Sequence, residues 1–250
     1  MDNNFGLTCR TRSLETSDEG FVSWQVRERS IMVPAQETAL LLCDVWDHHW
    51  CGGAEVRLEK MLERMNETVA AARDRGATII HSPSGTMASY QDSKARARAI
   101  ETPQIAPPEE QAHEDPPLPV DASDGGCDTG QPRGDTKTSP WIRQHSGIGI
   151  DEEKDYISDE GREVYSILGH AGIHHLIILG VHTNMCVLNR GFAIKQMVRW
   201  GVDTMLCRDL TDTMYNPAKP PYVNHDEGTR LVIEYIERFW CPTLLSQDLT

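Results

Sequence analysis

The sequence lacks the long apolar run that a membrane-spanning helix requires. No stretch of its 250 residues approaches the roughly 20 consecutive apolar residues that cross a bilayer. The first 20 residues also lack the apolar core of a signal peptide. The seven cysteines include no CxxC pair. We therefore expect a cytoplasmic protein whose thiols are reduced and mostly buried as small hydrophobic side chains.

Positive charge is also scarce. Lysine and arginine number 24 against 38 aspartates and glutamates, which gives a formal net charge of −14. Such a surface repels phosphate backbones and anionic lipid, so we expect neither a nucleic acid nor a membrane as partner. The hydrophobic fraction of 39% is that of a globular chain, and the length favours one domain over residues 1–250.

The clearest structural signal is a strand, a helix and a second strand in succession. Residues 38–46 are a continuous apolar run ending in acids, as in a strand buried on both faces. Residues 56–75 carry apolar side chains three to four positions apart, which predicts an amphipathic helix. A second buried strand follows at residues 77–81. A βαβ unit of this kind implies a parallel sheet.

Before this unit, residues 21–33 predict an edge strand or hairpin. After it, the alternation returns, with helices predicted at residues 160–170, 186–200 and 226–239 and strands at residues 175–181, 202–207 and 243–245. The predicted fold is a Rossmann-like three-layer α/β/α domain with a mostly parallel sheet of five to six strands.

Two segments depart from this rhythm. Residues 1–20 are polar, and we expect them to be mobile. Residues 101–149 are rich in proline, glycine and acids, and form an insertion too long for an ordinary loop. It is either disordered or an ordered excursion that covers something, and residues 124–128 could form a lid with Cys127 near the site.

Ligands of open parallel sheets bind outside the carboxyl ends of the strands. In the turn after residues 175–181, Cys186 opens the next predicted helix, where the helix dipole would lower its thiol pKa. Asp44 ends an apolar strand, where burial would raise its pKa and suit it to proton transfer. The simpler alternatives are a buried structural thiol for Cys186 and a helix cap or ion pair for Asp44.

These stretches, ALLLCDVWD and GIHHLIILGVHTNMCV followed by a strand into RDLTD, resemble the isochorismatase-like cysteine hydrolases. The resemblance implies Asp44 as general acid and base and Cys186 as nucleophile. It implies a cis peptide at Val181–His182 that turns the amides of His182 and Cys186 toward an oxyanion. The family's lysine aligns at Glu153, and a one-residue shift gives the role to Lys154.

Further residues near these turns are candidates for the substrate pocket. Aromatic and polar side chains suit a planar amide, and the candidates are Trp46, His49, Trp50, His81, Tyr90 and Asn184. The second strand is followed by HSPSGTM, without the Asp-x-His motif of metal-dependent relatives. Asp47, His49 and His81 are the weaker candidates for a divalent metal, and we expect no organic cofactor.

The sequence thus predicts a hydrolase of a C–N bond in a small amide, ureide or carbamoyl compound. The alternatives are vinyl-ether hydrolysis of the isochorismatase type, which would use Asp44 without a thiol nucleophile, and a non-catalytic ligand-binding protein with the same fold. The resemblance also implies a homo-oligomer.

Overall fold

The computed structural model describes residues 3–129 and 139–250. Its strands are β1 (Asn4–Thr16), β2 (Val22–Pro34), β3 (Thr38–Cys43), β4 (Thr78–Ser82), β5 (Tyr156–Ile157), β6 (His175–Val181), β7 (Asp203–Asp212) and β8 (Thr243–Leu244). They form one sheet in the order β2-β1-β8-β7-β6-β3-β4-β5. Strands β3 to β8 pair in parallel, whereas β1 pairs antiparallel with both β2 and β8.

Helices cover both faces of this sheet. They are α1 (Gly52–Asp74), α2 (Lys94–Glu101), α3 (Gly161–His170), α4 (Cys186–Asn189), α5 (Ile194–Arg199) and α6 (His225–Phe239). The core on one face is built with α1, and the core on the other with α2 to α6. The predicted three-layer α/β/α architecture is confirmed, with eight strands in place of five to six. Among the described residues, no helix is both long and apolar enough to cross a membrane.

Strand β3 lies between β4 and β6 and is buried along its whole length. Leu40 and Leu42 pack on the α1 side, and Leu41 and Cys43 on the opposite side. This confirms the prediction from the continuous apolar run, because a strand covered on both faces has no polar side. The strand ends at Cys43, so Asp44 emerges at the middle of the carboxyl edge of the sheet.

The prediction that residues 1–20 are mobile is wrong for most of that segment. Residues from Asn4 to Thr16 form β1, which pairs along its length with β2 at the sheet edge. Phe5, Leu7 and Cys9 alternate with more exposed residues and are buried. This alternation by two is the signature of a half-buried strand, and the polar outward residues hide it in a count of composition.

The predicted helix over 186–200 is also wrong, because the structure divides it into α4 and α5. The chain between them approaches the start of α3 closely: a Cβ added at Gly161 would lie 2.1 Å from the carbonyl oxygen of Gly191. Arg190, at the break, has extended backbone angles (φ −63°, ψ 152°). Only tertiary packing imposes this break, since a helical pattern runs through the sequence.

The described parts of the insertion at 101–149 pack against the domain. Val120 and Ile148 are buried, Asp115 pairs with Lys195 at 2.8 Å, and Trp141 stacks on Trp46. In its described parts the insertion is therefore ordered, which was one of the two alternatives that the sequence left open. Residues 130–138 of the insertion lie outside the described residues.

Candidate active site

Asp44 is the central side chain of the carboxyl edge and is fully buried. One carboxylate oxygen accepts the backbone N–H of Ser84, from the loop after β4, at 2.7 Å. The other accepts Nε of Arg190 at 2.9 Å. Its backbone has φ +50°, a left-handed conformation that non-glycine residues rarely adopt and that is often found at functional sites. Two segments distant in sequence therefore hold this carboxylate in place.

Cys186 lies directly beside this carboxylate. It begins α4 after the turn that follows β6, and its thiol lies close enough to Asp44 for the two groups to shift each other's pKa. The turn contains a cis peptide bond between Val181 and His182, at the position that the resemblance implies. The backbone of His182 also lies close enough to the Cys186 sulfur to lower its pKa. The arrangement places a thiol, a carboxylate and a backbone N–H around one point.

The expectation of a lowered thiol pKa is wrong. Burial, and then the negative charge of Asp44, raise the pKa of Cys186 to about 12. Helix α4 has only four residues, so its dipole is too small to offset them. Burial also raises the pKa of Asp44, as predicted, and Arg190 opposes that rise. At neutral pH the Cys186 thiol therefore keeps its proton, and Asp44 is the neighbouring base that can accept this proton.

The cation of the site is Arg190, which the sequence analysis missed. Lys154, predicted for this role, is exposed on the turn before β5, and its Nζ lies 3.7 Å from Asp151. Glu153 pairs with Lys94 at 2.5 Å. Neither position supplies a charge to Asp44, so the assignment of Lys154 is corrected. The sequence spacing could have identified Arg190. Residues four apart on a helix face the same side, and Arg190 is four residues after Cys186.

A cavity of about 410 Å³ opens beside Asp44, Val181 and His182. Trp46 and His49 line it, as predicted. The Trp46 ring stacks on Trp141 with centroids 3.9 Å apart, and its Nε1 donates to the carbonyl of Ser84. Trp46 gives the cavity a flat aromatic wall, and Trp141 supports it from outside the lining. Trp141 was not among the pocket candidates predicted from the sequence.

The other predicted substrate residues have structural partners outside this cavity. Trp50 packs against Gly125, and the hydroxyl of Tyr90 accepts the N–H of Gln144. Asn184 exchanges two hydrogen bonds with the backbone of Met214.

His81 is fully buried, bonded to Gln144 at 2.9 Å and to Asp155 at 3.0 Å. The pocket assignments of Trp50, His81, Tyr90 and Asn184 are therefore corrected. Each has the residue type of a ligand contact, but a protein group already satisfies it.

The metal candidates do not converge. Asp47 accepts the N–H groups of Ile142 and Arg143, Nδ1 of His49 accepts the N–H of Cys51, and His81 is held as described. Over residues 3–129 and 139–250, the one group with metal-ligand spacing is Cys51, Cys127 and Asp128. Its two sulfurs form a disulfide and offer no thiolate, so these residues do not fit a metal site.

This disulfide corrects the expectation of reduced thiols for two of the seven cysteines. It ties Cys127, in the insertion, to Cys51 at the start of α1. Nearby, Arg57 binds Asp128 at 2.7 Å and Asp212 at 2.9 Å. Residues 124–128 are thus fastened to α1 beside the cavity. The free cysteines Cys9, Cys43, Cys207 and Cys241 are buried, as predicted.

No protein-family model and no curated protein matches this chain. Solved structures match its fold. A cysteine hydrolase from Pseudomonas syringae pv. phaseolicola 1448A has a TM-score of 0.54 at 13% identity, over 87% of this chain and 92% of that one. An isochorismatase from Pseudomonas putida KT2440 has a TM-score of 0.52 at 12% identity, over 86% and 91%.

The chain therefore has the isochorismatase-like hydrolase fold, as the resemblance implied. Within that fold, the candidate site contains the buried Asp44, the half-buried Cys186 beside it and Arg190 as the cation. A carboxylate beside a thiol can accept a proton and return it, which is one requirement of acyl transfer.

Proposed function

We propose that this protein is a cysteine-dependent hydrolase that cleaves the C–N bond of a small amide, ureide or carbamoyl compound. The observation that carries the proposal is the position of Cys186, at the start of α4, beside the buried Asp44 carboxylate. A protonated nucleophile beside a positioned base is the arrangement of nucleophilic catalysis.

The geometry supports a two-step reaction. As the Cys186 sulfur attacks the carbonyl carbon, its proton moves to Asp44. The backbone amides of His182 and Cys186 hold the oxyanion. Asp44 then protonates the departing nitrogen, the C–N bond breaks, and an acyl-cysteine remains. Asp44 next accepts a proton from water, whose oxygen attacks the acyl carbon, and returns a proton to the sulfur as the acid product leaves.

Arg190 acts in this scheme through its charge. A guanidinium does not give up a proton at physiological pH, so Asp44 alone carries protons. Arg190 opposes the effect of burial on the pKa of Asp44 and keeps more of the carboxylate ionised. It also covers part of the Trp46 ring, at 5.9 Å from the ring centre.

A panel of small primary amides, ureides and carbamoyl compounds tests the proposal. We expect release of ammonia or amine from at least one of them. An acid-quenched reaction should contain the acyl group on the peptide bearing Cys186, read by mass spectrometry. A folded protein that turns over no member of the panel would favour the non-catalytic binding alternative.

Replacing Arg190 by alanine should move the acidic limb of the pH profile of kcat/KM to higher pH. Loss of the positive charge raises the pKa of Asp44, and the base is inactive once protonated. Below that pKa, activity should fall about tenfold for each unit by which the pKa rises. Arg190→Lys, which keeps the charge, should restore most of the profile.

Lys154→Ala is the matched control, since it removes one positive charge at an exposed position. It should leave both kcat/KM and the pH profile unchanged. The opposite result, with Lys154→Ala inactive and Arg190→Ala unaffected, would return the role of the cation to the lysine.

A further inference from the structure

The charges that line the cavity are mostly negative. Asp44, Asp47, Glu55 and Glu59 contribute carboxylates, and among the described residues no lysine or arginine lines it. A volume of about 410 Å³ suits a small molecule. A low-dielectric cleft lined by one sign of charge concentrates ligands of the opposite sign and repels those of the same sign.

The nearest guanidinium groups are already paired with carboxylates. Arg190 is bound to Asp44, and Arg57 is bound to both Asp128 and Asp212. A carboxylate on the ligand would have to compete with these partners. Neither of these two guanidinium groups is therefore free to bind a carboxylate of the ligand.

Four histidines among the described residues line the cavity. His48 is exposed and lies 3.9 Å from Glu55, and the two most buried, His49 and His182, add no positive charge. Burial lowers the pKa of His49 to about 4 and that of His182 to about 3, so both rings are neutral near pH 7. His145 accepts the N–H of Gly147 through Nδ1 at 3.0 Å and lies 3.1 Å from Glu59 through Nε2. A neutral ring satisfies both contacts, because Nδ1 accepts while Nε2 donates.

One wall of the cavity suits a flat, uncharged or positive group. The rings of Trp46 and His49 line this wall and lie within 20° of parallel, and Trp141 stacks on Trp46 from outside the lining, at 8°. Indole faces attract planar groups by stacking and cations by their quadrupole. They offer nothing comparable to a carboxylate.

We propose that the substrate presents a neutral or cationic planar group to this cavity and carries no carboxylate in it. The inference rests on the proposed function, because it assumes that the group beside Asp44 is the one that Cys186 attacks. It separates this protein from hydrolases of carboxylate-bearing ureides and of anionic vinyl ethers, since the same carboxylates that accept a neutral or positive group repel an anion.

Three ligands of one shape and different charge test the inference: benzamide, benzamidinium and benzoate. Binding is measured on the Cys186→Ala variant by tryptophan fluorescence and by calorimetry, so no turnover is needed. We expect benzamide and benzamidinium to bind, and benzoate to bind at least about tenfold more weakly than benzamide. Benzoate binding as tightly as benzamide, or no binding of any of the three, would overturn the inference.

Charge variants of α1 locate the effect. Glu59→Gln and Glu55→Gln should weaken benzamidinium binding and reduce the discrimination against benzoate. Glu63→Gln, the same change at an exposed position of α1 outside the cavity lining, should alter neither. Equal effects at all three positions would mean that overall charge, and not the cavity, selects the ligand.

The binding order and the reaction can fail separately. If the charge order holds but wild-type protein hydrolyses no amide, the proposed function fails and the cavity assignment stands. If amides are hydrolysed and the preferred substrate carries a carboxylate in the cavity, the charge inference fails and the hydrolase stands.

Discussion

Replacing Cys186 by alanine should lower kcat/KM for amide hydrolysis by on the order of 10⁴-fold or more. Without the sulfur no acyl-enzyme forms, and Asp44 has no nucleophile to activate. Steady-state kinetics and the loss of the trapped acyl adduct both measure the effect. Unchanged thermal unfolding would show that the loss is chemical. Cys241→Ala, at a buried thiol in the core on the α2 to α6 face, is the matched control and should stay active.

The same variant separates the two enzymatic readings. A vinyl-ether hydrolase that uses Asp44 without a nucleophile would keep its activity in Cys186→Ala. Full activity toward a vinyl ether in that variant, with no amide turnover in the wild type, would contradict the thiol mechanism and favour the alternative.

Replacing Asp44 by asparagine should lower kcat/KM by on the order of 10²–10⁴-fold, the usual contribution of a general acid and base. Asparagine has nearly the same shape but a single acceptor oxygen, so it can accept from the Ser84 N–H or from Arg190 and not from both. The acidic limb of the pH profile should disappear together with the activity. Retention of that limb in Asp44→Asn would assign it to another group.

The effect of Asp44→Asn on the stability of the protein should depend on pH. Burial raises the pKa of Asp44 in the folded state. Its contribution to stability is therefore fully present below the unfolded pKa of about 4 and is lost as the pH rises through the folded pKa. Asparagine does not titrate, so the Tm of the variant relative to the wild type should increase as the pH rises through the folded pKa of Asp44. A Tm difference that does not change with pH would contradict the raised pKa.

Strong local patterns predicted most of the central fold. β3, α1 and β4 follow from one apolar run, one helical spacing and a second apolar run. β1 was missed because its polar outward face dominates the composition of residues 1–20. β5, with two residues, is too short for any periodicity, and its place depends on parallel pairing with β4.

The candidate site could also be predicted only in part. Asp44 and Cys186 were identifiable because each follows a buried strand, and the carboxyl ends of parallel strands meet at one edge of the sheet. His81 and Tyr90 were assigned to the pocket by residue type alone. Asp155 and Gln144, far along the chain, bind them instead.

The sequence by itself determined the alternation of strands and helices and the position of Asp44 and Cys186 at the carboxyl edge of the sheet. The tertiary structure decided the cation, the direction of the thiol pKa and the sign of the cavity charge. The physical reason is that pKa values and ion pairs depend on burial and on neighbours distant in sequence. Arg190 and Asp44 are 146 positions apart in sequence, and only the folded chain brings them into contact.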